Sequence, residues 1–232
     1  MIKKETMKSM STVSILTIFA LSLSPLPCFA GDFLYLVLQW PGSYCSAKPG
    51  CCFPKNGKPA KDFTIAGPWP CYLNATIPQF CNSHSHLNLA KASNLTKSLQ
   101  VNWASLACPS SDGLSLWARE WQQHGTCSGL NQLDYFEAAL RLKKQVNLLK
   151  TLNNAGIQPN GKFYETGVVV EETIRKAVGY MPGLWCNDDK SGNRQLYQVV
   201  MCGDFAGNRI IDCPGIPTGK GECAASIKFP PF

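Results

Sequence analysis

The sequence predicts an α+β fold in one domain, and three observations support this prediction. Apolar runs typical of strands lie near both ends of the chain after residue 30, amphipathic patterns typical of helices lie between them, and no repeat, linker or charge block divides the chain. With 45% hydrophobic and 16% charged residues, the chain is too apolar for a disordered protein. Its 19 Gly and 16 Pro follow no period, which excludes a collagen-like architecture.

Residues 1–30 have the pattern of a secretory signal peptide. Three lysines in the first ten residues precede an apolar run over 13–26, and a small-residue site ends at Ala30. The run is shorter than the ~20 residues that a membrane span needs, and an uncleaved anchor is the alternative. We expect cleavage after Ala30, a folded domain over 31–232, no membrane partner, and an extracellular or vacuolar location.

Two strands begin the domain. The aromatic and aliphatic run Phe33–Trp40 predicts a buried strand, and a loop rich in Cys, Pro, Gly and Lys follows to Asp62. Residues 63–65 predict a short second strand. The Gly and Pro residues at 67, 68 and 70 are expected to break it.

Four helices and three further strands complete the predicted fold. Apolar residues four apart at Leu95, Leu99 and Trp103 indicate the first helix, and Asn131 is the expected N-cap of the third. Gly179 is expected to end the fourth. The predicted helices span 87–106, 114–124, 131–156 and 168–178, and the predicted strands span 196–205, 209–212 and 225–229.

The cysteines indicate a disulfide-bonded protein outside the cytosol. Eleven of the twelve follow residue 30, so five disulfides would leave one thiol, and spacing alone leaves the pairing open. No two cysteines have the two-residue spacing of a zinc ribbon. His84 and His86 are interpreted as solvated loop residues without a supporting acidic cluster, so we expect no metal or other cofactor.

Two sequons agree with passage through the secretory pathway. They place candidate glycosylation sites at Asn74 and Asn94. A glycan at Asn74 would crowd the segment that precedes it, which contains Trp69.

Residues 63–70 and 116–127 concentrate polar and aromatic residues beside cysteines. In the second segment, Glu120 and His124 are four residues apart and share a helix face, next to Arg119 and Gln123. A carboxylate, an imidazole and a guanidinium within two turns can bind and activate a phosphodiester. For the Glu–His pair alone, an ordinary surface pair is the alternative.

Both segments resemble the active-site segments of the T2 family of secreted ribonucleases, in particular the S-like ribonucleases of plants. The resemblance also covers 39–45, the pair Cys51-Cys52, 102–109, 195–199 and 226–230. It implies an α+β core with a central antiparallel sheet and packed helices. It also implies metal-free RNA cleavage, in which a ribose 2′-hydroxyl attacks its own phosphate to give a 2′,3′-cyclic phosphate. This chemistry needs one proton acceptor, one proton donor and cationic groups at the phosphate.

The sequence departs from the family pattern at three catalytic positions. Ala66 and Arg119 stand where the family has histidines, and Gln123 stands where it has a lysine, so only Glu120 and His124 are left. Alanine has no proton to exchange, and arginine stays protonated. Loss of one acid/base partner costs ~10²–10⁴ in rate. The sequence therefore predicts a degenerate site with little or no cleavage, as in inactive relatives associated with storage or defence.

Two alternatives to this reading stay open. One is a slow endoribonuclease that relies on Glu120, His124 and Arg119; the other is a protein that binds RNA or nucleotides without cleaving them. Gln39 and Trp69 match positions that line the phosphate or base site in the family, and Arg119 is the candidate phosphate ligand. RNA or nucleotides, and not DNA, are the expected ligands.

The resemblance also implies which cysteines pair. The implied disulfides are Cys45–Cys51, Cys52–Cys108, Cys81–Cys127, Cys186–Cys223 and Cys202–Cys213. Cys71 is then the unpaired cysteine, either as a free thiol in a monomer or as the link in a covalent dimer.

Overall fold

A seven-stranded sheet organises the fold. The computed structural model describes residues 31–216 and 221–232, so the signal peptide expected over 1–30 lies outside the described residues. The strands are β1 (Phe33–Gln39), β2 (Thr64–Cys71), β3 (Phe163–Glu165), β4 (Gly183–Asp188), β5 (Arg194–Gly203), β6 (Ile210–Ile211) and β7 (Ser226–Lys228). Their order is β2-β1-β5-β7-β3, and β4 and β6 also pair with β5. Every pairing is antiparallel except β5 with β7, which confirms the predicted α+β class.

Helices cover one face of this sheet. They are α1 (Pro41–Ser46), α2 (Thr96–Asn102), α3 (Leu114–Gln123), α4 (Gln132–Gln145), α5 (Leu148–Asn154) and α6 (Glu172–Val178), with 3₁₀ turns at Leu89–Leu95 and Gly125–Cys127 and a π-helical turn at Thr166–Glu171. Leu34, Leu36 and Leu38 of β1 belong to the main core with the helices, while Phe33, Tyr35 and Val37 belong to a smaller cluster. Among the described helices, none is long and apolar enough to cross a membrane.

The single helix expected over 131–156 is wrong. Asn131 does cap α4, since its side chain accepts a hydrogen bond from the Asp134 N–H. However, Val146 adopts an extended conformation, and the Asn147 side chain accepts from the Lys150 N–H to begin α5. Asparagine is a strong N-cap, so a second helix begins here within one apolar pattern.

The expected break of β2 at its prolines is also wrong. The strand continues through Pro68 and Pro70 to Cys71, and among the described strands it pairs with β1 alone, at the edge of the sheet. The Cys71 carbonyl accepts from the Asp32 N–H, so alternate residues face β1 and the two prolines face outward. An edge strand tolerates proline because its outward N–H has no partner to lose.

Within the part of the chain that the structure describes, five disulfides fasten the loops to this framework. They join Cys45 to Cys51, Cys52 to Cys108, Cys81 to Cys127, Cys186 to Cys223, and Cys202 to Cys213, which are the pairs implied by the resemblance. Cys71 is the free cysteine of the described residues.

Candidate functional site

Strand β2 and helix α3 bring the two sequence segments together. The Trp69 Nε1–H of β2 donates to Glu120 Oε2 of α3 at 3.2 Å. The Trp69 ring also stacks on His124, with centroids 5.1 Å apart and planes 26° from parallel. Gly67 permits this approach, since a Cβ there would lie 2.2 Å from Trp69 Nε1. One tryptophan therefore contacts both of the family-matching residues that are left in the second segment.

Ala66 occupies a β-bulge. Val37 pairs with Gly67 and Leu38 pairs with Ile65, so Ala66 has no partner on β1. Bulges are found next to active sites, where they redirect a side chain. Here the bulge places Ala66 in the wall of a cleft, and the side chain offered there is a methyl group.

The cleft has a volume of about 470 Å³ and is lined by polar and apolar residues. Gln39, Trp69, Arg119 and Glu120 line it, as do Ser105 and Gln198. Gln198 Nε2 donates to Gln39 Oε1 at 3.3 Å. Arg119 is exposed at the cleft and forms no ion pair with any residue that the structure describes.

Burial shifts the pKa values of Glu120 and His124 in opposite directions. Glu120 is only 7% exposed, and its burial raises the pKa to about 7, against the lowering effects of the Trp69 N–H and of Arg119. His124 is 4% exposed, and burial lowers its pKa to about 4. Burial disfavours the charged form of each group, so both are neutral between about pH 4 and pH 7.

The structure separates His124 and Gln123 from the cleft. His124 lies beyond Trp69, does not line the cleft, and its Nδ1 is buried without a hydrogen-bond partner among the described residues. Gln123 Nε2 donates to Gln79 Oε1 at 3.2 Å, and its carbonyl accepts from the Phe80 N–H. The predicted residues thus divide into a group at the cleft and a pair outside it.

Sequence reasoning missed several residues of this site. Tyr44 on α1 and Tyr197 on β5 both line the cleft, and Trp185 of β4 stacks on Trp69 with centroids 5.9 Å apart. Both tyrosines lie within the segments 39–45 and 195–199 that carry the family resemblance. The resemblance of those two segments to the family could therefore have identified Tyr44 and Tyr197 as candidate site residues.

The free thiol of Cys71 is enclosed by the fold. It is 0% exposed between β1 and its neighbours, and burial raises the pKa of its thiol. The Sγ–H group donates to the Tyr72 carbonyl at 3.4 Å. This enclosure of the sulfur favours the free-thiol alternative over the covalent dimer.

The other candidate residues lie on the surface. Asn74 and Asn94 are exposed, and so are His84 and His86. Among the described residues no group of three or more His, Cys, Asp or Glu side chains could hold a metal ion.

Comparisons with known proteins identify relatives over most of the chain. Residues 31–213 match the model of the ribonuclease T2 family. The chain is 50% identical to intracellular ribonuclease LX of Solanum lycopersicum over 203 residues, 87% of this chain and 84% of that protein. It is 48% identical to extracellular ribonuclease LE of the same species over 204 residues, 87% of each.

A solved structure shows the same fold. The crystal structure of RNase NT in complex with 5′-AMP superposes with a TM-score of 0.83 at 47% identity, over 88% of this chain and 100% of that one.

Proposed function

The chain belongs to the ribonuclease T2 family, of the plant S-like type, and from this premise we propose that it binds RNA or nucleotides but cleaves little or no RNA. One observation carries the proposal: the imidazole at His124 lies outside the cleft, and the bulge position in the cleft is Ala66. No described residue of the cleft is then an imidazole that could take the proton from a 2′-hydroxyl.

The other ionisable groups of the cleft are poorly matched to two proton transfers. Burial and the neighbouring Tyr44 raise the pKa of Tyr197 to about 12, and an arginine side chain does not exchange its proton in proteins. Glu120 is then the one described group of the cleft whose pKa, about 7, favours proton exchange near neutral pH. Cleavage by transphosphorylation needs a proton acceptor and a proton donor, so Glu120 alone can serve only one step at a time.

The groups that are left suit binding. Arg119 supplies a cation for one phosphate, and Gln39, Gln198 and Ser105 supply neutral hydrogen-bonding groups for a base or sugar. Aromatic faces beside them suit stacking against a base. The relative RNase NT has been solved with 5′-AMP, which supports a nucleotide as the ligand class.

Slow endoribonuclease activity is the second candidate, and Glu120 is the observation that favours it. Its carboxyl lines the cleft next to Arg119, and a pKa of about 7 lets it hold a proton in mildly acidic solution and release it above neutrality. Such an enzyme would lose its remaining activity in the variant Glu120→Gln.

We also propose the biological setting that the sequence favours. A signal peptide over residues 1–30 would direct the chain to the secretory pathway and, once cleaved, leave the domain 31–232 with Asn74 and Asn94 as exposed glycosylation sites. The relatives include one extracellular and one intracellular ribonuclease, so either an extracellular or a vacuolar destination fits. A storage or defence role fits this proposal because neither requires turnover of RNA.

An RNA cleavage assay tests the proposed inactivity. Purified protein is compared with the triple reversion Ala66→His, Arg119→His, Gln123→Lys at mildly acidic and neutral pH. We expect the reversion to be at least ~10² faster, because it places imidazoles at two positions that line the cleft, 66 and 119, and so supplies a proton acceptor and a proton donor there. Turnover of the unmodified protein within about tenfold of an ordinary acid ribonuclease would overturn the proposal. A reversion that gains nothing would show that these three positions are not what limits cleavage.

Calorimetry tests the binding part. The protein should bind 5′-AMP, and Arg119→Ala should weaken that binding by about tenfold or more, since a charge-assisted contact to phosphate is lost. Arg209→Ala is the charge-matched control, because Arg209 is exposed and pairs with Asp204 away from the cleft. Equal effects of the two variants would contradict the assignment of Arg119.

A further inference from the structure

A second cavity adjoins the cleft. Its volume is about 660 Å³, and Tyr44 and Tyr197 line both cavities, so the two share one aromatic wall. The backbone fixes this wall, since the Trp40 N–H donates to the Tyr197 carbonyl and the Tyr44 N–H donates to the Trp40 carbonyl. The two cavities therefore lie against the same pair of tyrosines.

The two rims of the second cavity are held in place. On one side, the disulfide Cys45–Cys51 closes the short loop that contains Lys48. On the other side, the Lys190 N–H donates to the Ser46 carbonyl at 3.2 Å. Lys190 Nζ reaches to 3.9 Å from where a Cβ on Gly50 would stand, so its ammonium group lies beside the loop of Lys48.

The charged residues that line the second cavity are two lysines and two aspartates, and the two aspartates are held in ion pairs. Asp188 pairs with Arg194 at 3.0 Å, and Asp189 pairs with Lys228 at 2.9 Å. In contrast, Lys48 and Lys190 form no ion pair with any residue in the described ranges. Two lysines without acidic partners thus face the same space.

We propose that this second cavity binds the neighbouring nucleotide of a single-stranded RNA, with Lys48 and Lys190 on its phosphates and the Tyr44–Tyr197 wall between the two nucleotides. The proposal rests on the proposed function and extends it from a mononucleotide to an RNA strand. Aromatic faces beside a cationic groove are what sequence-tolerant single-strand binding requires. The lysines add attraction that a free mononucleotide in the cleft does not use.

Binding of a short oligonucleotide tests the second cavity. The probes are 5′-AMP and a fluorescein-labelled hexa-adenylate with 2′-fluoro groups, which lacks the attacking hydroxyl. We expect the double variant Lys48→Ala/Lys190→Ala to weaken hexamer binding by about tenfold while 5′-AMP binds as before. The slope of log K against log salt concentration should shrink by about 1.4, since each lost phosphate contact to a single strand removes ~0.7.

A matched variant controls for net charge. Lys97→Ala/Lys150→Ala removes two exposed lysines from α2 and α5, outside both cavities, and should leave the affinity and the salt slope nearly unchanged. If both double variants weaken hexamer binding equally, or if the Lys48/Lys190 variant weakens 5′-AMP equally, the second-cavity proposal falls while the proposed function stands. Absence of any binding to both probes overturns the proposed function as well.

Discussion

Replacing Glu120 by glutamine should change how the stability of the protein depends on pH. Burial raises the pKa of this carboxyl from 4.5 to about 7, so the folded state favours its protonated form. The stability that the folded protein gains from keeping Glu120 protonated is fully present below about pH 4.5 and is lost as the pH rises through 7. At 1.36 kcal/mol per pKa unit, the change amounts to about 3 kcal/mol. Glutamine stays neutral and keeps an oxygen that can accept the Trp69 N–H bond.

Urea unfolding followed by tryptophan fluorescence, with the disulfides intact, measures this effect. The free energy of unfolding of Glu120→Gln minus that of the parent should rise by about 3 kcal/mol between about pH 4.5 and pH 8. Other carboxyl groups titrate in both proteins and cancel in the difference.

His124 supplies a mirror-image control. Burial lowers its pKa from 6.5 to about 4, so its stabilisation is complete above about pH 6.5 and is lost as the pH falls through 4. The free energy of unfolding of His124→Gln minus that of the parent should therefore fall by about 3 kcal/mol as the pH rises from about 4 to 6.5.

One result would refute the reasoning on Glu120. If the free energy of unfolding of Glu120→Gln minus that of the parent does not change with pH, Glu120 titrates alike in the folded and unfolded chains.

Three further outcomes are expected. Replacing Trp69 by phenylalanine removes the N–H donor to Glu120 and should raise the pKa of Glu120 further, as a carboxyl-carbon NMR titration would show; a lowered pKa contradicts this. The native protein should not react with a thiol reagent at Cys71 and should give no disulfide-linked dimer. Unfolding in urea should expose one thiol per chain. Rapid labelling of the folded protein would contradict the burial of Cys71. Substituting Gln195 by alanine should lower the free energy of unfolding in urea by ~1–3 kcal/mol. The buried Gln195 side chain donates to the Ser43 carbonyl at 3.0 Å and accepts from the Ser46 hydroxyl at 2.9 Å, and both bonds are lost. A decrease below ~0.5 kcal/mol would mean that water replaces these bonds.

Much of the fold could be predicted because its apolar patterns are local. The strand after Phe33, the helix beginning at Leu114 and the stop at Gly179 all follow from periodicity and capping, and Gly179 has the positive φ of 89° that favours glycine. The short strands β3 and β4 and the helix α1 were not predicted. Their sequences carry little periodicity, and they form through pairing or packing with β5 and β7.

The candidate site was predicted in part for a related reason. Motifs identified Glu120, Trp69 and Arg119 because these residues lie in continuous segments. The position of His124 behind Trp69, and its separation from the cleft, depend on how the end of α3 packs against β2. No sequence pattern encodes that depth, and burial is the largest cause of both pKa shifts.

The prolines of β2 have a consequence for how the protein behaves in concentrated solution. An exposed sheet edge with free N–H groups is a template on which another chain can add a strand and begin to aggregate. Pro68 and Pro70 face outward from the edge strand, offer no N–H there and are themselves buried, so an incoming strand finds neither a complete ladder nor open access. The segment that carries Ala66 and Trp69 thus also protects the sheet against edge-to-edge growth.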